Sequence, residues 1–232
     1  MTGTILISGA NRGIGLALAR RYAAEGWRVL ACCRNPEEAE KLQKMSAESS
    51  GGLTVHALDV ANEQGIRSLA EELKGETIDI LFNNAGINGG DRQSFGGVDT
   101  EAWLQTFRVN TIAPLKMAEA FVEHVARSRR GVIAIMGSVM GSMEENTSGG
   151  QYIYRSSKSA VHMVGRSLAL DLRSRGIITV LLHPGWVATD MGGASAPVSP
   201  DESAAGLQRV LEKLGPEDNG RFFDFAGKVR PW

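Results

Sequence analysis

The sequence predicts a single α/β domain spanning residues 1–232, a doubly wound, seven-stranded, mainly parallel sheet with helices on both faces. Strand and helix signals alternate along the whole chain, as repeated βαβ units require. Several strand segments are nearly continuous apolar runs, the pattern of a parallel sheet covered on both sides. A glycine-rich turn at residues 9–15 joins the first strand to the first helix, and there backbone can approach a bound anion closely.

The elements follow in order. Thr4-Ile5-Leu6-Ile7-Ser8 reads as a buried strand, and Gly9-Ala10-Asn11-Arg12-Gly13-Ile14-Gly15 turns it into a helix that runs to Gly26. Further strands are predicted at 28–33, 53–58, 78–82, 132–136, 177–182 and 221–223. Helices are predicted at 36–45, 62–73, 101–129, 152–175 and 200–214. The last has a sharp start, with Ser199 as N-cap, Pro200 in the first turn and Glu202 at the third position, and Gly215-Pro216 stops it. Arg127, Arg129 and Arg130 at the end of the long helix complement its macrodipole. No repeat, linker or low-complexity tract interrupts the chain.

Composition narrows the function classes. A formal net charge of −1 gives no electrostatic case for nucleic acid or an anionic membrane. No apolar run approaches the roughly 18 residues of a spanning helix. A strand beginning near residue 4 leaves no room for a signal peptide, so a cytoplasmic protein is expected. Cys32 and Cys33 point to opposite faces of a strand, which makes a mutual disulfide implausible. His56, His124, His162 and His183 show no metal-ligand spacing, so no metal site is predicted.

Open parallel sheets bind ligands at the carboxyl ends of their strands, and Gly9, Arg34, Asp59, Asn83, Ser138 and Pro184 each follow a predicted strand. Tyr154 and Lys158 are four residues apart, hence on one helix face. An ammonium there is expected to lower the phenol pKa from about 10 toward neutral pH, suiting proton transfer to a substrate oxygen. Tyr152, six residues from Lys158, lies off that face. The glycine turn at 9–15, between strand and helix, fits the pyrophosphate of a dinucleotide.

Taken together, S-G-A-N-R-G-I-G at 8–15, L-D-V at 58–60, N-N-A-G at 83–86, V-N at 109–110, Ser138, Y-R-S-S-K at 154–158 and H-P-G at 183–185 resemble the short-chain dehydrogenase/reductase family, in that family's order and over nearly the whole chain. G-W-V-A-T-D-M-G-G at 185–193 and the ending F-F-D-F-A-G-K-V-R-P-W look like its C-factor/sniffer-type carbonyl reductase branch. Ser8 stands where the family usually has threonine, and its hydroxyl can make the same hydrogen bond. The resemblance implies a Rossmann fold with Tyr154 as acid–base residue, Ser138 orienting a carbonyl, and Lys158 serving both phenol and nicotinamide ribose. It implies cofactor contacts from Gly9, Asn11, Arg12, Gly13, Ile14, Gly15, Asp59, Val60, Asn83, Ala85, Gly86, Pro184, Gly185, Val187 and Thr189. Asp59 can also cap the helix near 62. The family commonly pairs its long helices across a two-fold axis, so a homodimer or homotetramer is expected.

The second strand ends Ala31-Cys32-Cys33-Arg34, without the carboxylate that usually meets an NAD ribose. Arg34, with Arg12 from the other side, suits a 2′-phosphate instead, although both can be plain solvated arginines. NADP(H) is therefore favoured over NAD(H). Pro114 has no N–H for the Asn110 carbonyl four residues back. A helix kinked there would free that carbonyl to hold a proton-relay water near Lys158; the bland alternative is an Asn110 bonded in the core.

Residues 186–199, with Gly192, Gly193 and Pro197, are expected to form a lid, and residues 140–153 one wall of the pocket. Trp186, Met191, Met140 and Met143 point to an apolar pocket, and no residue stands out as a clamp for a charged substrate. An uncharged carbonyl compound or its alcohol is the expected substrate. A dinucleotide-binding signalling or regulatory protein of the C-factor type is the alternative. An epimerase or dehydratase is weakened by the short C-terminal part, which leaves little room for a substrate domain.

Overall fold

The structure, a computed structural model, describes residues 2–232. Its strands are β1 (Thr4–Ser8), β2 (Arg28–Cys33), β3 (Leu53–Ala57), β4 (Ile80–Asn83), β5 (Val132–Met136), β6 (Ile178–His183) and β7 (Phe222–Asp224). Its helices are α1 (Gly13–Ala24), α2 (Glu40–Glu48), α3 (Glu63–Glu72), α4 (Thr100–Phe107), α5 (Ala113–Ala126), α6 (Tyr152–Asp171) and α7 (Pro200–Lys213). One sheet contains all the strands in the order β3-β2-β1-β4-β5-β6-β7, and each neighbouring pair is parallel. Strand order reverses at β1, which pairs with β2 on one side (Thr4 opposite Arg28) and β4 on the other (Ile5 opposite Ile80). Beyond the carboxyl ends of β1 and β4 lies the crevice of such a sheet.

Each sheet face carries its own core. Leu18 of α1, Leu42 of α2 and Leu207 of α7 pack on one side, while Leu69 of α3, Phe121 of α5 and Val161 of α6 pack on the other. A fully buried Leu or Phe contributes roughly 1.5–3 kcal/mol, so these apolar stripes, rather than helix propensity, fix where the helices sit. Cys33 enters the first core and Cys32 the second, and both are free thiols. Ser199 caps α7 as expected, its hydroxyl accepting from the Glu202 N–H at 3.1 Å. Among the described residues no helix is long and apolar enough to cross a membrane.

Four local expectations are corrected. The helix predicted at 101–129 is not continuous: a π-helical turn, Arg108–Ile112, separates α4 from α5, and the Ala113 N–H donates to the Arg108 carbonyl five residues back. Pro114 cannot donate four residues back, which favours a shift of ladder register over a kinked regular helix. The helix predicted at 36–45 begins as a separate 3₁₀ turn, Pro36–Glu38. The cap of α3 is Asn62, which accepts from the Gly65 N–H at 3.1 Å, whereas the Asp59 carboxylate accepts from the Ala61 N–H at 2.9 Å. Two of the arginines after α5 serve other elements: Arg127 donates to the carbonyls of Lys74 and Glu76 beyond α3, and Arg130 to those of Leu211 and Glu212 in the last turn of α7.

Candidate active site

The glycine loop is shaped by contacts that leave no room for side chains. Gly9 has φ +67°, and a Cβ on it would lie 3.0 Å from the Ala85 Cα; one on Gly15 would lie 2.3 Å from the Gly9 carbonyl oxygen. The Ser8 hydroxyl accepts from the N–H groups of Asn84 and Ala85, both at 3.1 Å, so serine makes the bond expected of it. The Asn84 amide donates to the carbonyls of Ser8 and Gly9, both at 3.0 Å. Helix α1 follows Arg12, whose side chain does not cap it, which leaves first-turn N–H groups without side-chain partners. Asn83, buried at the end of β4, has an Nδ2 with no partner, a donor whose burial is costly unless a ligand meets it. A tight glycine cradle, an uncapped helix start and an unpartnered buried amide suit a dinucleotide.

Arg34, Asp59, Asn83 and Pro184 lie at or just beyond the carboxyl ends of β2, β3, β4 and β6. Asn11 and Arg34 are exposed, and Ile14 is half-buried. Arg34 is absent from the side-chain hydrogen bonds and ion pairs among the described residues, whereas the Arg12 guanidinium pairs with Asp190. Val60 is buried below the exposed Asp59. Pro184 follows β6, its carbonyl accepting from the Ser203 hydroxyl at 2.7 Å. Gly185, at φ +87°, is crossed so closely by Phe225 that a Cβ would lie 2.8 Å from its ring.

Residues 186–199 form a loop tied to itself. Val187 bridges Val198, the Ala188 N–H donates to the Val198 carbonyl at 2.8 Å, and the Trp186 indole donates to the Gly192 carbonyl at 2.8 Å. Thr189 borders the glycine loop, 3.2 Å from where a Cβ on Gly13 would be. Trp186, Met191 and Met143 are largely exposed, and Met140 is half-buried.

Ser138, Tyr154, Lys158 and Asn110 come from three elements. Ser138 ends the segment after β5 and caps a 3₁₀ turn, Val139–Gly141, its hydroxyl accepting from the Met140 N–H at 3.1 Å. Tyr154 is partly buried on the first turn of α6. Lys158, one turn on, is buried; its Nζ lies 5.7 Å from the Tyr154 ring centroid and donates to the Met136 carbonyl at 2.8 Å. Asn110 sits in the π turn, where its Oδ1 accepts from the Ile87 N–H at 2.9 Å and its Nδ2 donates to the Ile87 carbonyl at 2.8 Å and the Ser157 hydroxyl at 3.0 Å. The side chain thus staples the loop after β4 to α6. A Cβ on Gly86 would lie 3.3 Å from the Asn110 Oδ1 and 3.8 Å from the Lys158 Nζ, which places all three at one point.

Electrostatics depart from expectation at the phenol. Burial raises the Tyr154 pKa above its usual value of 10.0, and interaction with the Ser138 hydroxyl offsets part of the rise. The Lys158 ammonium is directed at the Met136 carbonyl, and burial pushes its own pKa down to about 8. Among the described residues no group of three or more His, Cys, Asp or Glu could hold a metal ion.

Two supporting residues escaped the sequence reading. Gln93, buried in a loop, accepts from the Tyr154 N–H at 2.9 Å through its side chain and from the Tyr152 N–H at 3.1 Å through its carbonyl. It thereby caps α6 in place of Gln151, which takes the left-handed conformation at φ 47°. A lone glutamine remote in sequence carries no sign of that role. Asn84 did carry one, since it lies inside the N-N-A-G motif.

The short chain dehydrogenase family profile matches residues 3–198, and the chain belongs to that family, in its C-factor and carbonyl reductase branch. C-signal of Myxococcus xanthus is 42% identical over 167 residues, covering 72% of this chain and all of the relative. The structure of carbonyl reductase Sniffer of D. melanogaster superposes with a TM-score of 0.93 at 33% identity, over 100% of both chains. That of an NADPH-bound carbonyl reductase from chicken fatty liver gives 0.93 and 33%, over 100% of this chain and 99% of the other. As a member of this family the protein is an oxidoreductase.

Proposed function

We propose that the protein is a cytoplasmic, NADP(H)-dependent carbonyl reductase that interconverts an uncharged ketone or aldehyde and its alcohol. The observation that carries this reading is the convergence of Ser138, Tyr154 and Lys158 beside a glycine cradle with an unpartnered Asn83 amide. The loop 9–15, Asp59, Val60, the 83–86 segment, Lys158 and residues 184–189 would hold the dinucleotide, which when bound supplies the hydride. The free Arg34 guanidinium supports a 2′-phosphate partner. Arg12 is available to the same group, because an exposed ion pair such as its bridge to Asp190 contributes only about 0.2–1 kcal/mol and a phosphate dianion can displace the carboxylate.

Tyr154 gives its proton to the carbonyl oxygen as negative charge develops there. A phenol held protonated by burial is in the required form over the whole neutral range. Ser138, whose oxygen already accepts from Met140, keeps its own proton to donate to the same substrate oxygen. The Lys158 ammonium favours the phenolate left behind. Loop 186–199, exposing Trp186 and Met191, acts as an apolar lid.

The exposed Leu104, Ile112, Met163 and Leu170 on α4, the π turn and α6 support a homo-oligomer through those helices. The likeness to C-signal supports a second reading, a dinucleotide-binding regulatory protein with little or no turnover. A panel of carbonyl compounds with NADPH and NADH, followed at the nicotinamide absorbance, separates the two: turnover of any member upholds the reductase, and none across the panel favours the regulator.

A further inference from the structure

Behind Ser138 lies a group that the chemistry above does not use. His162, on α6, is 3% exposed and sits between two glycines. A Cβ on Gly137 would lie 2.8 Å from its Nε2, and one on Gly141 2.9 Å from its Cε1. Seated there, the ring accepts the Ser138 N–H on Nε2 at 3.3 Å. The proton is therefore on Nδ1, which is buried without a partner. The ring is neutral: burial, with Lys158 and His183 nearby, holds its pKa at about 3.

The other side of His162 is covered by the C-terminal segment. After β7 the chain turns back, Val229 pairs antiparallel with Phe223, and the Arg230 N–H donates to the Phe222 carbonyl at 2.8 Å. Trp232 then packs edge-on to His162, with centroids 5.7 Å apart, and stacks on Phe222 at 5.9 Å. Its main-chain oxygen accepts from the Ser142 hydroxyl at 2.8 Å and the Met143 N–H at 3.0 Å. Arg230 pairs with Glu145 on the same loop and with Asp224 of β7. Ser138 is thus gripped from behind by an imidazole and from downstream by a strap fixed to the loop that follows it.

We propose that His162 and Trp232 are positioning residues for Ser138, His162 by fixing its backbone N–H and Trp232 by clamping both the ring and the loop at 142–145. This rests on the carbonyl reductase reading. Displacing a reacting group by about 1 Å costs on the order of 10²-fold in rate, so a partial loosening is expected to cost about tenfold.

The experiment compares His162→Leu, His162→Gln and Trp232→Ala with wild type, all loaded with NADPH. It measures kcat and KM for a carbonyl substrate, the NADPH dissociation constant, and hydrogen exchange of peptides covering 138–149. In His162→Leu, kcat is expected to fall about tenfold or more with the NADPH constant little changed and exchange in 138–149 accelerated. His162→Gln, whose amide oxygen can reach the Nε2 position, should recover most of the rate, and Trp232→Ala should fall in between. Unchanged exchange in both His162→Leu and Trp232→Ala overturns the proposal, as does accelerated exchange with wild-type kcat or a glutamine variant no better than leucine. If wild type turns over no carbonyl compound while exchange still accelerates, the reductase reading fails and the positioning of Ser138 is supported.

Discussion

At the scale of residues, the chemistry depends on how burial sets proton affinities. Tyr154→Phe removes the proposed proton donor, worth roughly 10²–10⁴ in rate, without touching the glycine cradle. Reduction should fall by at least about 100-fold with the NADPH dissociation constant within a few-fold, and near-normal turnover would take Tyr154 out of the mechanism. Lys158 gives a pH signature. With its pKa lowered from 10.5 to about 8, it is charged below that pH and neutral above, so kcat/KM for NADPH, which reports groups of the free protein, should fall as pH rises through about 8. Between 8 and 10.5 the unfolded chain holds the proton that the folded one has lost, so this group makes stability rise with pH across that window. For the cofactor, Arg34→Asp replaces a phosphate partner with a repelling carboxylate that can accept from ribose hydroxyls, and preference should move toward NADH. Competitive turnover with both cofactors checks it; a wild type already favouring NADH removes the argument. The grouping of Ser138, Tyr154 and Lys158 was legible because the chemistry proposed for them needs those side chains at those spacings. Gln93, His162 and Trp232 were not, because each acts through backbone contacts made only once distant segments meet.

At the scale of elements, the strands were readable from continuous apolar runs, and β1, β2 and β5 begin and end where expected. Strand ends elsewhere moved by one or two residues, since pairing register, rather than composition, sets where a ladder stops. The π turn was half legible: Pro114 announced a missing N–H, but not whether the helix would bend or rewind. Rewinding turns the Asn110 side chain into a staple with three hydrogen bonds. Pro114→Ala restores an N–H and raises helix propensity, so the turn is expected to rewind toward regular α-helix, taking the Asn110 carbonyl as acceptor and shifting the staple. The thermal midpoint should hold or rise while turnover falls, most visibly where proton delivery limits the rate. Full activity with an unchanged pH–rate profile would leave Asn110 a packing residue, and loss of both stability and activity would make the turn structural only.

At the scale of the whole molecule, helix α4 packs against α6 through the Trp103 indole, which donates to the Ser156 hydroxyl at 2.9 Å. Apolar side chains nonetheless remain exposed around that pair. Sedimentation at micromolar concentration should give a dimer or tetramer, and Leu104→Glu with Met163→Glu should shift it toward monomer by placing charges in the contact; a monomeric wild type refutes the assembly. The strand order has a further consequence, for the timing of assembly. The first four strands in the chain are the contiguous neighbours β3-β2-β1-β4 beside the glycine loop, and β5, β6 and β7 follow on their open edge in chain order. Of the residues proposed to hold the dinucleotide, those in the glycine loop and after β3 and β4 are thus made before Ser138, Tyr154 and Lys158, while residues 184–189 come after them. On the proposed reading, the cofactor-side groups of the first half-sheet therefore precede in synthesis the proton-handling groups that β5 and α6 carry.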